Sequence, residues 1–117
     1  MKNYQMKNYL DGVTITSKFS TKYNEAIRDF ANKVIWLQQH RNYVVGLGFR
    51  YSDGSLGGGT IITHNNGVDK TPAEILAECI EIFDDRMASD TLTRIAVNGG
   101  NGADRPNIPI YHVDIQH

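Results

Sequence analysis

The stretch Tyr43-Val44-Val45-Gly46-Leu47-Gly48-Phe49-Arg50-Tyr51-Ser52-Asp53-Gly54-Ser55-Leu56-Gly57-Gly58-Gly59-Thr60-Ile61-Ile62-Thr63 reads as two strands and a tight turn. Period two places Val45, Leu47, Phe49 and Tyr51 on one face and Val44, Gly46, Gly48 and Arg50 on the other, the pattern of a half-buried strand. Ser52-Asp53-Gly54-Ser55 supplies the turn, because Asp-Gly accepts the positive φ that a tight hairpin needs. The return strand is expected from Leu56 to about Thr63.

Before this hairpin, Ile27, Phe30, Ala31, Val34 and Ile35 recur at helical spacing. Trp36 and Leu37 broaden the stripe. Ser20 to Asn24 offer caps, and the helix is expected to fray around His40 to Asn42. Further upstream, Val13, Ile15 and Phe19 alternate with polar residues and predict a half-buried strand. Met1-Lys2-Asn3-Tyr4 is echoed by Met6-Lys7-Asn8-Tyr9, so residues 1–10 read as a flexible or alternative-start segment.

After the hairpin, His64-Asn65-Asn66-Gly67 predicts another turn, and Thr71-Pro72-Ala73-Glu74 is a capping box with proline in the first helical position. The helix should run to about Ala88. Ala73, Leu76, Ala77, Ile80, Phe83 and Met87 form its buried stripe, and Ile75, Cys79 and Ile82 add a second strip, so cover on more than one side is expected. Arg94 to Asn98 reads as a strand with Ile95 and Val97 inward. Ile108 to Ile115 reads as another, with Tyr111, Val113 and Ile115 on one side. The order strand, helix, hairpin, helix, strand, strand predicts a single small α+β domain over residues 1–117. Two helices should pack on a mostly antiparallel sheet.

The 117 residues carry 12 Lys+Arg against 13 Asp+Glu, a formal charge of −1. That balance disfavours a binder of long nucleic acid, which needs a basic face. With 40% hydrophobic and 21% charged residues, the chain has the composition of a folded domain. No apolar run reaches the ~20 residues of a membrane span, and no charged-then-apolar leader opens the sequence, so a cytoplasmic protein is expected. The single Cys79 excludes an internal disulfide and any multi-cysteine metal site.

Eleven glycines are many for so small a core, and most fall between Gly46 and Gly59 or between Gly99 and Gly102. Gly46 and Gly48 share a strand face, with Gly57-Gly58-Gly59-Thr60 across the hairpin. Either a helix packs tightly on this bare backbone, or the glycines mark a bulge, or the backbone N–H groups meet a flat or anionic ligand. The second cluster, Asn98-Gly99-Gly100-Asn101-Gly102-Ala103-Asp104-Arg105-Pro106-Asn107, is a polar loop holding amides, an acid and a guanidinium. Arg105 suits a phosphate or a base face, and Asn98, Asn101 and Asn107 suit base edges and hydroxyls, unless the stretch is simply a surface loop.

Catalytic patterns are weak. His40, His64, His112 and His117 are scattered, and only His112 and Asp114 share a strand face. Asp84 and Asp85 read as a solvated helix end, and Cys79 as a small buried hydrophobe. No serine or cysteine nucleophile signature occurs. No catalytic residue, metal site or cofactor is expected. Arg50 on the glycine face is a second cation of interest, Arg86 suits the helix dipole, and Phe83 belongs to the core stripe or projects into a site near the helix end.

Taken together, Val44-Val45-Gly46-Leu47-Gly48-Phe49, Asp53-Gly54-Ser55-Leu56-Gly57-Gly58-Gly59, the Thr71-Pro72-Ala73-Glu74 helix and the Arg105 loop resemble the first family of phage Thoeris anti-defence proteins, from about Val13 onward. The resemblance implies small α+β subunits that form dimers or hexamers in the cytoplasm of an infected bacterium. Such proteins sequester cyclic ADP-ribose-type signals without cleaving them, and some also hold cyclic oligonucleotides. An aromatic residue and arginines grip the nucleotide in that family, and Phe83 and Arg105 match them here. This chain departs from the pattern in having one arginine in its last loop. Arg50 or Arg86 of another subunit would supply the missing contact. The ligand site implied thus comprises Phe83, Arg105, Asn98, Gly99, Asp104, Asn107, Arg50 and Gly58. Two other readings stand beside it: a module that inhibits another protein by surface contact, and a small phosphoesterase or nucleotide hydrolase using His112 and Asp114.

Overall fold

The computed structural model describes residues 8–14, 20–89, 91–99 and 110–117. Both arms of the hairpin form the strands that their alternation predicts, β1 (Val44–Tyr51) and β2 (Leu56–Ile62). Gly54, at φ +87°, is the left-handed residue of a three-residue loop closed by Gly54 N donating to Tyr51 O and Tyr51 N to Ser55 O. Asp53 takes a different part: its carboxylate accepts from the Ser55 N–H and hydroxyl at 2.8 and 2.6 Å. Those bonds hold its pKa below the usual carboxylate value.

Helix α1 (Ser20–Gln39) buries Ile27, Phe30, Ala31, Val34, Ile35 and Leu37. Its backbone departs from helical geometry at Tyr23, whose ring packs 5.4 Å from that of Phe83. At the other end Asn42 N donates to Leu37 O and Arg41 N to Gln38 O, the double bond of a Schellman cap. The left-handed position of that cap, where glycine is usual, holds Arg41 at φ +66°. Arg41→Gly is therefore expected to stabilise the protein by roughly 0.5–1 kcal/mol, relief of left-handed strain outweighing glycine's extra chain entropy. Urea denaturation of the two proteins checks this.

The turn expected at His64 to Gly67 is a miniature hairpin, β3 (His64–Asn65) and β4 (Val68–Asp69). Asn66 and Gly67 both have positive φ, 52° and 80°, as a two-residue type I′ turn requires. Gln38, 3% exposed, anchors its base by donating to Thr63 O at 2.7 Å and Lys70 O at 2.9 Å.

Helix α2 (Pro72–Ser89) opens with the predicted capping box, Thr71 N donating to Glu74 Oε1 and Glu74 N to Thr71 Oγ1. Both strips expected to be covered do turn inward, with Ile82 and Met87 half-buried against the core beside them, but they merge into one broad side. Ile75, Leu76, Cys79, Ile80 and Phe83 make one buried stripe, while Ala73 and Ala77 face solvent. Small apolar residues satisfied the helical period without marking the buried side. Cys79 is fully enclosed, and burial pushes its thiol pKa well up.

Strands β5 (Leu92–Asn98) and β6 (Ile110–Asp114) complete the sheet, whose order is β2-β1-β5-β6 with every neighbour antiparallel. β5 starts two residues earlier than the alternation predicts. Its pairing with β1 jumps from Arg50↔Arg94 to Tyr51↔Leu92, so Thr93 bulges and its hydroxyl donates to Arg50 O. Both helices lie on the sheet face formed by Val45, Leu47, Phe49, Ile61, Ile95, Val97 and Val113, enclosing the core between them.

The strand expected to begin at Val13 is a turn instead, with Val13 N donating to Leu10 O; Ile15 and Phe19 lie outside the described residues. Arg28 pins this turn by donating to the carbonyls of Leu10 and Val13. Nor is the lead-in free as far as residue 10. Leu10 is 0% exposed, and Tyr9 N donates to Asn32 Oδ1. Among the described residues no helix is long and apolar enough to cross a membrane.

Candidate functional site

With both helices on one side of the sheet, the opposite face has no cover among the described residues. Strand register arranges it in rows. Thr60, Gly46, Asn98 and Ile110 form one, Gly58, Gly48, Ala96 and His112 the next, and Leu56, Arg50, Arg94 and Asp114 the last. The middle row is nearly bare backbone on three adjacent strands. Gly48, Arg50, Leu56, Arg94, Ala96 and His112 line a shallow groove of about 230 Å³ over it.

These glycines serve neither helix packing nor a bulge, the alternatives the sequence left open: the pairing of β1 is unbroken from Gly46 to Arg50 on both sides. A Cβ built at Gly46, Gly48 or Gly58 would meet its nearest neighbour at 3.5 Å, ordinary van der Waals contact, and none of the three has positive φ. Glycine inside a strand is destabilising by roughly 0.5–1 kcal/mol against alanine. The sheet thus carries a bare floor that packing among the described residues does not require.

Gly57 and Gly59 differ. They point to the helix side, where Arg86 lies across the edge of β2. Its Nη2 donates to Gly58 O at 2.8 Å, its Nη1 to the Tyr51 hydroxyl at 3.3 Å, and the guanidinium sits 4.5 Å from the Phe49 ring centroid. A Cβ at Gly57 would stand 3.1 Å from the Tyr51 hydroxyl and 3.2 Å from Arg86 Nη1. Arg86 is therefore occupied within its own chain, on the face away from the groove.

Of the residues singled out in the sequence, Arg50, Gly58 and Asn98 share the open face. Phe83 does not join them: it is 0% exposed, enclosed in the core beside Tyr23. Gly99 is buried too, and a Cβ there would fall 2.6 Å from Asn42 Oδ1 and 3.0 Å from Leu37 Cδ2, so its role is close packing against the end of α1. Asp104, Arg105 and Asn107 lie outside the described residues. Arg94 and Ala96 were missed. Alternation in Arg94-Ile95-Ala96-Val97-Asn98 already set them opposite the core, but nothing local indicated that β5 lies beside β1.

Charge on the face is uneven. Arg94 Nε donates to Asp114 Oδ1 at 2.7 Å, which holds the Asp114 carboxyl below its usual pKa. That carboxylate oxygen serves an arginine, not the His112 with which a hydrolase would pair it. Among the described residues no group of three His, Cys, Asp or Glu is placed to hold a metal ion. Compared with protein-family models, curated proteins and solved structures, the chain matches none.

Proposed function

We propose that the protein binds and sequesters a small cyclic-nucleotide signal of the cyclic ADP-ribose type without cleaving it, as a homo-oligomeric (dimeric or hexameric) phage anti-defence protein. The observation that carries the binding part is the bare floor of Gly46, Gly48, Gly58 and Ala96 beside Arg50 and Arg94. A planar base or sugar needs a flat surface that side chains do not obstruct, and its phosphates need cations within reach. Sequestration asks for no nucleophile or general base. The anti-defence role and the oligomer rest on the sequence resemblance.

The test is retention. Purified protein is mixed with cyclic ADP-ribose isomers and with cyclic oligonucleotides, freed of unbound ligand and then heat-denatured. Intact nucleotide released only on denaturation is expected. No retention of any of them overturns the reading, and release of cleaved products replaces it with the hydrolase.

A second reading has its own support. Leu56, Ile110, Ile62 and Val44 are 73%, 53%, 42% and 38% exposed on the same face. Four exposed aliphatic side chains around a flat centre also suit a docking protein surface.

A further inference from the structure

The geometry points to Arg50 and Arg94 as a clamp for a phosphate or pyrophosphate group at one end of the open face. This rests on the binding reading above and names the chemistry that the face grips. The two arginines are direct cross-strand partners in the β1–β5 register. Like charges placed directly opposite one another destabilise a sheet. The fold answers this repulsion only in part. Asp114, the register partner of Arg94 on β6, takes the Arg94 Nε edge, leaving two cations against one anion in the row.

What remains free suits an oxyanion. Among the described residues Arg50 forms no ion pair, and the terminal nitrogens of Arg94 make no hydrogen bond. Asp114 orients the Arg94 fork and so acts as a positioning residue. The groove beside the pair has Gly48 and Ala96 as its floor and Leu56 and His112 among its walls. A phosphate has enough oxygens to meet two guanidinium forks at once and to neutralise the excess charge. Whatever the phosphate is attached to would then extend over the glycine floor.

The probe is sodium pyrophosphate at low ionic strength, added to isotope-labelled protein and followed by NMR. Saturable shifts are expected at the Nε–H of Arg50 and Arg94 and at the backbone amides of Gly48 and Ala96. Arg50→Gln and Arg94→Gln should each weaken the response at least tenfold while keeping the melting temperature. Lys33→Gln, on a helix across the sheet, should leave it unchanged. Shifts that do not saturate, equal saturation by sodium acetate, or equal weakening in Lys33→Gln would overturn the clamp. The two readings also fail separately. Pyrophosphate binding that needs both arginines, without retention of any cyclic nucleotide, keeps the clamp and removes the sequestering role. Nucleotide retention indifferent to both substitutions removes the clamp alone.

Discussion

Phe83→Ala is expected to destabilise the protein by about 3–5 kcal/mol, the range for emptying a fully buried aromatic site. Phe83 is 0% exposed, sits on the buried stripe of α2 and packs against the Tyr23 ring of α1. Losing it opens a cavity where the two helices meet. Against a typical total of about 5–15 kcal/mol, that loss leaves a small margin or none. Urea denaturation gives the number. Because the alanine variant alone would lose binding simply by unfolding, Phe83→Leu is the informative companion. Leucine keeps much of the apolar volume, for roughly 1 kcal/mol, but removes the aromatic face. If Phe83 serves the core, Phe83→Leu retains nucleotide as well as the unaltered protein does. Loss of retention in a folded Phe83→Leu protein would show that the ring grips the ligand after all, and that the core opens to admit it.

Phe83 also illustrates what the sequence carried. Its place in the helical stripe was legible, because burial of a helix face follows from a local period. The β1–β2 hairpin, the capping box and the α1 stripe were legible for the same reason: each is decided by residues within one turn or one hairpin. The errors sit where a distant residue decides. Val13 looked like strand, but Arg28, 15 positions away, donates to its carbonyl and fixes a turn. Leu92 and Ile95 both point inward though three residues apart, which a period-two reading excludes and the bulge at Thr93 permits. The site divides in the same way. Gly46, Gly48 and Arg50 were visible as one face of one strand. Their neighbours Ala96 and Arg94 came from the β1–β5 register, set by pairing across more than forty positions.

A side chain added at Gly48 has room that one added at Gly57 lacks, and the Gly48 substitution tests the open floor most directly. Gly48→Val is expected to leave stability unchanged or raise it by up to about 1 kcal/mol, since valine suits a strand and glycine does not. Among the described residues nothing lies nearer than 3.5 Å to the new Cβ. The same substitution fills the middle of the floor with a branched side chain, and a ligand lying flat there loses its contact surface. Nucleotide retention should fall at least a hundredfold, about 2.7 kcal/mol of binding, in a protein that melts no lower than before. Gly57→Ala has less room. Its Cβ would stand 3.1 and 3.2 Å from the Tyr51 hydroxyl and Arg86 Nη1, so those side-chain ends must give by a few tenths of an ångström, which offsets the roughly 0.5–1 kcal/mol that replacing a strand glycine otherwise gains. If Gly48→Val instead melts well below the unaltered protein, the fold needs that glycine and the floor requires no ligand to explain it. If Gly48→Val is stable and still retains nucleotide undiminished, the ligand lies elsewhere. Only unchanged or higher stability together with lost retention leaves the open face as the place where the ligand sits.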